Sequence, residues 1–153
     1  MTEGRASLQE FFEVQSEISP LFARHLENMV SAEGITAHQA MTLKMLKDRD
    51  QMCRMSDIAT MQFLTPAAAT GIVDRLIHLG LVERKFDESD RRVVLLALTA
   101  AGEKKLSVVD KRLQDTMQRF LERVSESDRT ASLRMFRKLK EFLKEELNAL
   151  KKK

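Results

Sequence analysis

The pair Thr65-Pro66 is the tightest constraint in the chain. Proline lacks a backbone N–H and breaks a helix interior, but it suits the first helical position, where that N–H has no partner anyway. Thr65 supplies the capping side chain just before it. A helix therefore starts here and runs to about His78. Gly80 is placed to take the left-handed conformation that ends it, with Leu81 packing back on Leu76. The preceding stretch repeats this on a smaller scale: Ser56 as N-cap, Asp57 in the first turn, and a helix of about Asp57 to Gln62. Beyond Gly80 the pattern changes. Leu81 to Phe86 and Arg92 to Leu98 carry Val and Leu, contain no Gly or Pro, and flank the polar cluster Asp87-Glu88-Ser89-Asp90. That is the pattern of a β-hairpin with a longer loop. Two short helices joined by a tight turn, with a hairpin at once behind them, leave few folds open.

The rest of the chain reads as helix. From Ser7 to Val30, the residues Leu8, Phe11, Ile18, Phe22, Leu26 and Met29 recur at helical spacing, and Pro20 predicts a kink or break. Ala32-Glu33-Gly34 is a linker. Thr36 then caps a helix with Gln39 at the return position of a capping box, and Ala40, Leu43 and Leu46 form its buried face. Thr99 caps a long helix to about Val124, striped with Leu106, Val109, Leu113, Met117, Phe120 and Val124. Ser127 caps a last one, with Leu133, Phe136, Leu139, Leu143, Leu147 and Leu150 on one face. Two Pro and five Gly are too few to punctuate an all-β chain. The fold class is mostly α with a small β-hairpin wing: a winged helix-turn-helix whose N- and C-terminal helices form a dimerisation lobe. The terminal helices carry more apolar surface than one thin helical hairpin can bury. The expected division is 1–34 as an N-terminal dimerisation helix, 35–100 as the DNA-binding domain and 101–153 as C-terminal dimerisation helices.

The second helix of the pair is the reader. Thr65, Pro66, Ala67, Ala68 and Thr70 at its N-terminal end are small, as a helix pressed against base edges requires. Ala and the Thr methyl suit thymine methyl groups, and a Thr hydroxyl suits bases or phosphates. Ala59 on the first helix lets the two cross closely. Gly71, costly inside a helix, fits either a close backbone approach or poor local optimisation. The hairpin carries Arg84 and Lys85 on its first strand and Asp90-Arg91-Arg92 at its tip. Guanidinium groups on a thin hairpin suit the narrow minor groove, with Asp90 orienting Arg92 through a bidentate pair. Taken alone, Arg91 and Arg92 also fit a solvated turn. The formal charge of +3 is too mild to decide the matter by itself.

Other chemistry finds little support. No Gly-rich phosphate loop, nucleophile elbow or metal dyad marks an enzyme. His25, His38 and His78 are scattered and no C-x-x-C spacing occurs, so neither a metal nor another cofactor is expected. Cys53, the only cysteine, excludes a disulfide framework within the chain and reads as an inert thiol in a polar connection. The N-terminal stretch has no apolar core of a signal peptide, and nothing approaches the roughly 18 apolar residues that span a bilayer. A cytoplasmic location follows. The nine Met read as gap-filling core, some suited to line a hydrophobic effector pocket.

The run TPAAATGIVDRLIHLGLVERKFDESDRRVVLLALTAAG, Thr65 to Gly102, resembles the signature of the MarR (multiple antibiotic resistance regulator) family. The matching pieces are the DRL-x-x-x-GLVER junction from Asp74 to Arg84, with Arg75 beside Asp74, the Asp90-Arg91-Arg92 tip, and Leu98-Thr99 followed by Gly102. Ile35-Thr36-x-x-Gln39 matches upstream. The resemblance covers essentially the whole chain. It implies a triangular α/β homodimer joined through its termini, a wing salt bridge between Asp90 and Arg92, and wing arginines in the minor groove. It implies a transcription regulator, by preference a repressor, on a pseudo-palindromic double-stranded operator, with Asp74, Arg75, Arg84 and Lys85 beside the reader residues at the DNA. It also implies release by a small hydrophobic or phenolic ligand, or by an oxidant. The peroxide-sensing members use a cysteine near the N-terminus, which the first helix here lacks. Phe86, out of place near the wing, is expected to pack under the hairpin. An architectural DNA binder without sequence preference is the alternative reading.

Overall fold

The computed structural model describes residues 7–48, 52–86 and 94–150. The elements are α1 (Leu8–Ser31), α2 (Ala37–Asp48), β1 (Met52–Cys53), α3 (Met55–Met61), α4 (Pro66–His78), β2 (Val82–Phe86), β3 (Val94–Leu98), α5 (Ala100–Leu121) and α6 (Glu126–Leu150). Packing divides the chain into two compact units, Met1–Arg112 and Leu113–Lys153, with the boundary inside α5.

The first unit is built on local signals that agree with its packing. Ser7 caps α1 through a reciprocal pair with Glu10: the Glu10 N–H donates to Ser7 Oγ at 3.1 Å, and the Ser7 N–H donates to Glu10 Oε2 at 2.7 Å. That backbone N–H holds the Glu10 carboxyl below its usual pKa. The same box, Thr36 with Gln39, opens α2. The buried faces of α2, α3, α4 and α5 then meet in one core, with Leu43, Leu46, Ile58, Leu76, Leu96 and Leu106 fully enclosed. Each contributes roughly 1.5–3 kcal/mol by leaving water. Glu33, in the turn between α1 and α2, accepts from Lys105 Nζ (3.4 Å) and an Arg112 guanidinium nitrogen (2.6 Å), which fastens that turn to α5.

The sheet is antiparallel in the order β1-β3-β2. Val82 pairs with Leu98, Arg84 with Leu96 and Phe86 with Val94. β1 was not anticipated. It holds two residues, Met52 and Cys53, opposite Ala97 and Leu96. Cys53 is therefore a buried core thiol rather than part of a polar connection. Pairing with β3, distant in sequence, selects that strand.

Several boundaries move for local reasons. α1 runs uninterrupted through Pro20. The Ser16 carbonyl that proline leaves without its helical partner lies on an exposed stretch, open to solvent. α3 starts after Arg54 rather than Ser56, because the Asp57 carboxylate accepts the Arg54 N–H at 3.0 Å. Arg54 has no side-chain acceptor to return the bond. α6 is capped by Ser125, not Ser127: Ser125 Oγ accepts the Asp128 N–H at 3.1 Å and donates to Asp128 Oδ2 at 2.6 Å. Phe86 does not pack under the hairpin; it is 69% exposed, on a strand of which only Val82 is buried.

α3 and α4 end in the same Schellman geometry. At the end of α4, Gly80 (φ +69°) donates to Ile77 O and Leu81 donates to Leu76 O. At the end of α3, Phe63 (φ +54°) donates to Thr60 O and Leu64 donates to Ala59 O. Glycine adopts that backbone freely, whereas for Phe63 the left-handed region costs about 1–2 kcal/mol.

The second unit comprises the end of α5 and α6. α6 buries none of its residues, although Phe136, Leu139, Leu143 and Leu147 lie along it.

Candidate nucleic-acid interface

α4 sorts its residues by face. Ala69, Val73 and Leu76, spaced four and three apart, point into the core. Thr65, Pro66, Ala67, Ala68, Thr70, Gly71, Asp74 and Arg75 all lie on the exposed side. Thr65 caps the helix by accepting the Ala68 N–H at 3.2 Å, with Pro66 behind it at the first position. The Thr70 hydroxyl donates to Pro66 O at 2.9 Å. Its proton is thus committed, and outward it presents a methyl group and acceptor lone pairs rather than a donor. Gly71 has open space where a Cβ would stand. Among the described residues nothing requires a glycine there, so packing within the chain does not explain it.

Three anchors fix the helix pair and its neighbours, the first between α3 and α2 and the other two at α4. The first is a polar chain through the core side of α3. Gln62, 7% exposed, donates through Nε2 to Thr42 Oγ1 at 2.8 Å, and its Oε1 faces His38 Nδ1 at 2.9 Å. Thr42 gives its own proton to His38 O at 2.9 Å. Thr42 can then only accept from Gln62, so the Gln62 oxygen is left toward His38, and Nδ1 carries the hydrogen. The sequence signal for this polar chain is a Thr and a Gln standing on otherwise apolar faces.

The second anchor is Thr99. Its hydroxyl caps α5 by accepting the Gly102 N–H at 3.0 Å and donates to Gly80 O at 2.7 Å, while its N–H reaches Leu81 O at 3.1 Å. The end of α4, the start of β2 and the start of α5 are thereby tied at one residue. Gly102 is the residue that permits this. A Cβ on it would lie 2.1 Å from Leu81 O and 2.8 Å from Leu98 Cδ1.

The third anchor joins the wing strand to the reader helix. A guanidinium nitrogen of Arg84, on β2, donates to Asp74 Oδ1 on α4 at 2.7 Å, with both side chains 55% exposed. Sequence reasoning had Asp74 and Arg84 each at the DNA; the structure brings them together. A carboxylate on an exposed face beside a duplex repels phosphate unless a cation covers it. Lys85 pairs with Glu83 along the same strand at 3.1 Å. Arg75 is exposed and has no ion pair among the described residues. Asp90, Arg91 and Arg92, with their expected salt bridge, lie outside the described residues. Among the described residues no group of His, Cys, Asp and Glu is placed to hold a metal ion, and no helix is long and apolar enough to cross a membrane.

A short helix packed under an exposed, small-residue helix, with an antiparallel hairpin directly behind, defines a winged helix-turn-helix protein. The comparisons with known proteins carry this to a family. The model of the MarR family matches residues 33–93. The HTH-type transcriptional repressor MdtR of Bacillus subtilis (strain 168) is 30% identical over 128 residues, which span 84% of this chain and 77% of MdtR. The crystal structure of the YusO protein from Bacillus subtilis is similar at a TM-score of 0.69 and 26% identity, over 90% of this chain and 99% of that one. A MarR family protein from Bacillus stearothermophilus shares the fold at a TM-score of 0.81 and 23% identity, over 90% and 95% of the two chains. The chain belongs to the MarR family of DNA-binding transcription regulators, which are not enzymes.

Proposed function

We propose that the protein is a sequence-specific regulator that binds a pseudo-palindromic double-stranded operator as a homodimer and acts as a repressor. The observation that carries this is the outer face of α4, whose N-terminal end presents only small side chains over Thr65, Pro66, Ala67, Ala68 and Thr70. That end enters the major groove, Thr70 and the alanines meet base edges, and Arg75, Arg84 and Lys85 meet the backbone beside it. Asp74 holds Arg84 in place rather than touching DNA. Arg91 and Arg92, with Asp90 orienting the second, reach the minor groove. MdtR is named a repressor, which favours that sense of regulation here, and a role on DNA places the protein in the cytoplasm.

A second copy of the chain is the natural cover for the terminal helices. α1 exposes Phe11, Ile18 and Phe22, and α6 exposes Phe136, Leu143 and Leu147. Large apolar surfaces left in water mark interaction sites. Residues 1–34 and 101–153 would then supply the dimer contacts and 35–100 the DNA-binding part. A small hydrophobic or phenolic effector that binds better to the dimer with wrongly spaced reader helices would weaken DNA binding by that difference in affinity.

The test is base readout by α4. Ala68→Glu should abolish operator preference with the fold intact, and Thr70→Ala should cost ~1–3 kcal/mol at the cognate site, the scale of one base contact. If both bind the operator as the parent does, another element reads the sequence. Salt titration separates the alternative, since an architectural binder has no site held far above its nonspecific background.

A further inference from the structure

Phe63 stands at the turn between α3 and α4, two residues before the Thr65 cap. It is the one non-glycine residue with positive φ among the described residues. It is also 96% exposed, more than any other large apolar side chain described. These two facts compound each other. The backbone accepts a conformation that glycine or asparagine fills without strain, and the ring recovers nothing by burial. The adjacent Leu64 is half-buried and closes the turn, so the motif itself needs no aromatic at position 63. The left-handed backbone carries the ring out of the helix pair, on the turn that feeds the reader helix. Exposed Met61 and Pro66 flank it in sequence.

We propose that Phe63 is a DNA-contact residue whose ring meets an apolar edge of the duplex beside the entry point of α4. The proposal rests on the reading of α4 given above and extends it by a residue type that basic and polar patterning does not reveal. The occupant is argued from continuity: the chain passes from Phe63 through Leu64 directly into Thr65, Pro66, Ala67 and Ala68, the face that enters the groove. The duplex offers apolar surface there in two forms, the thymine 5-methyl group and the deoxyribose ring, and phenylalanine suits thymine methyl groups in particular. The strained backbone then serves as an aiming device.

The experiment uses the full chain with Phe63→Asn and Phe63→Gly, both compatible with a left-handed backbone. Each should raise the thermal midpoint by relieving strain, yet weaken operator binding by roughly 5- to 100-fold, the range for one specific contact. A deoxyuridine scan then removes thymine methyl groups one at a time. If one position weakens the parent but not Phe63→Asn, the ring meets that methyl group. If Phe63→Asn weakens binding and no position couples to it, the ring meets deoxyribose; either result supports the contact. Unchanged operator affinity in both variants overturns it. A shift in sedimentation of either variant also overturns it, by assigning the ring to a contact between copies. Ala68→Glu serves as the control: should it leave binding intact, the reading of α4 has failed independently of Phe63.

Discussion

Gly71 and Gly102 both lie inside helices, and the same substitution at each is predicted to act with opposite sign. In an exposed helix interior alanine is favoured over glycine by about 0.8–1.0 kcal/mol. At Gly71 nothing lies within 4 Å of the added Cβ. Gly71→Ala should therefore stabilise by roughly that amount, a rise of about 2–4 °C in the unfolding midpoint for a chain of this size. At Gly102 the Cβ would meet Leu81 O at 2.1 Å. A backbone carbonyl cannot swing aside as a side chain can, and Leu81 O already accepts the Thr99 N–H. Relief needs α5 to withdraw from β2, which disturbs that bond and the one from Thr99 Oγ1 to Gly80 O. Overpacking costs about 1–3 kcal/mol, and each weakened hydrogen bond adds about 0.5–1.5 kcal/mol. After subtracting the helix gain of about 1 kcal/mol, Gly102→Ala should destabilise by about 1–5 kcal/mol and lower the midpoint by roughly 2–20 °C. The assay is thermal unfolding of both variants by circular dichroism at equal protein concentration. Midpoints that move in the same direction would refute the reasoning. Gly71→Ala carries a second readout: if the outer face of α4 meets DNA as proposed, the more stable protein should bind its operator less well, because the new methyl group would stand on that face.

Replacing Gln62 by Leu should destabilise by about 1–3 kcal/mol in denaturant unfolding, since the buried Thr42 hydroxyl loses its Gln62 partner; a stability equal to the parent would dismiss the polar chain as an anchor. Asp74→Asn should weaken operator binding in the parent but leave it unchanged in an Arg84→Ala background, as a double-mutant cycle on DNA affinity will show if Asp74 acts only through Arg84. Equal losses in both backgrounds would instead make Asp74 a contact in its own right. Leu143→Glu with Leu147→Glu should yield monomers in sedimentation and abolish tight binding; an unchanged dimer would reject the role given to α6.

The parts of the fold legible in the sequence are those set by neighbours a few residues apart. Thr36 with Gln39, Thr65 with Pro66, Gly80 with Leu81, and Thr99 all act within one helical turn, and each stands where its local chemistry placed it. What stayed hidden depends on distant partners or on close competitors. β1 exists only because β3 offers it a ladder. Ser56 was a fair cap, but Asp57 reaches back to Arg54 and starts the helix earlier. Ser125 and Ser127 both have capping side chains, and the Asp three residues beyond Ser125 decides between them. For the interface, the run of small side chains from Thr65 to Thr70 pointed to the exposed N-terminal end of α4. The Asp74–Arg84 pair joins two elements ten residues apart, and no periodicity announces it. Phe63 escaped for another reason: an aromatic between two helices reads as core, and only the backbone shows it turned outward.

The most direct test of the account is selection of bound sequences from a pool of random duplexes by the purified full chain. If the outer face of α4 reads bases and the protein works as a symmetric dimer, the enriched sites will form an inverted repeat. Its half-sites will be centred about 10 base pairs apart, one turn of the duplex, or a multiple of that. A pool that stays random after repeated rounds, or a single unrepeated site bound by one chain, would contradict it.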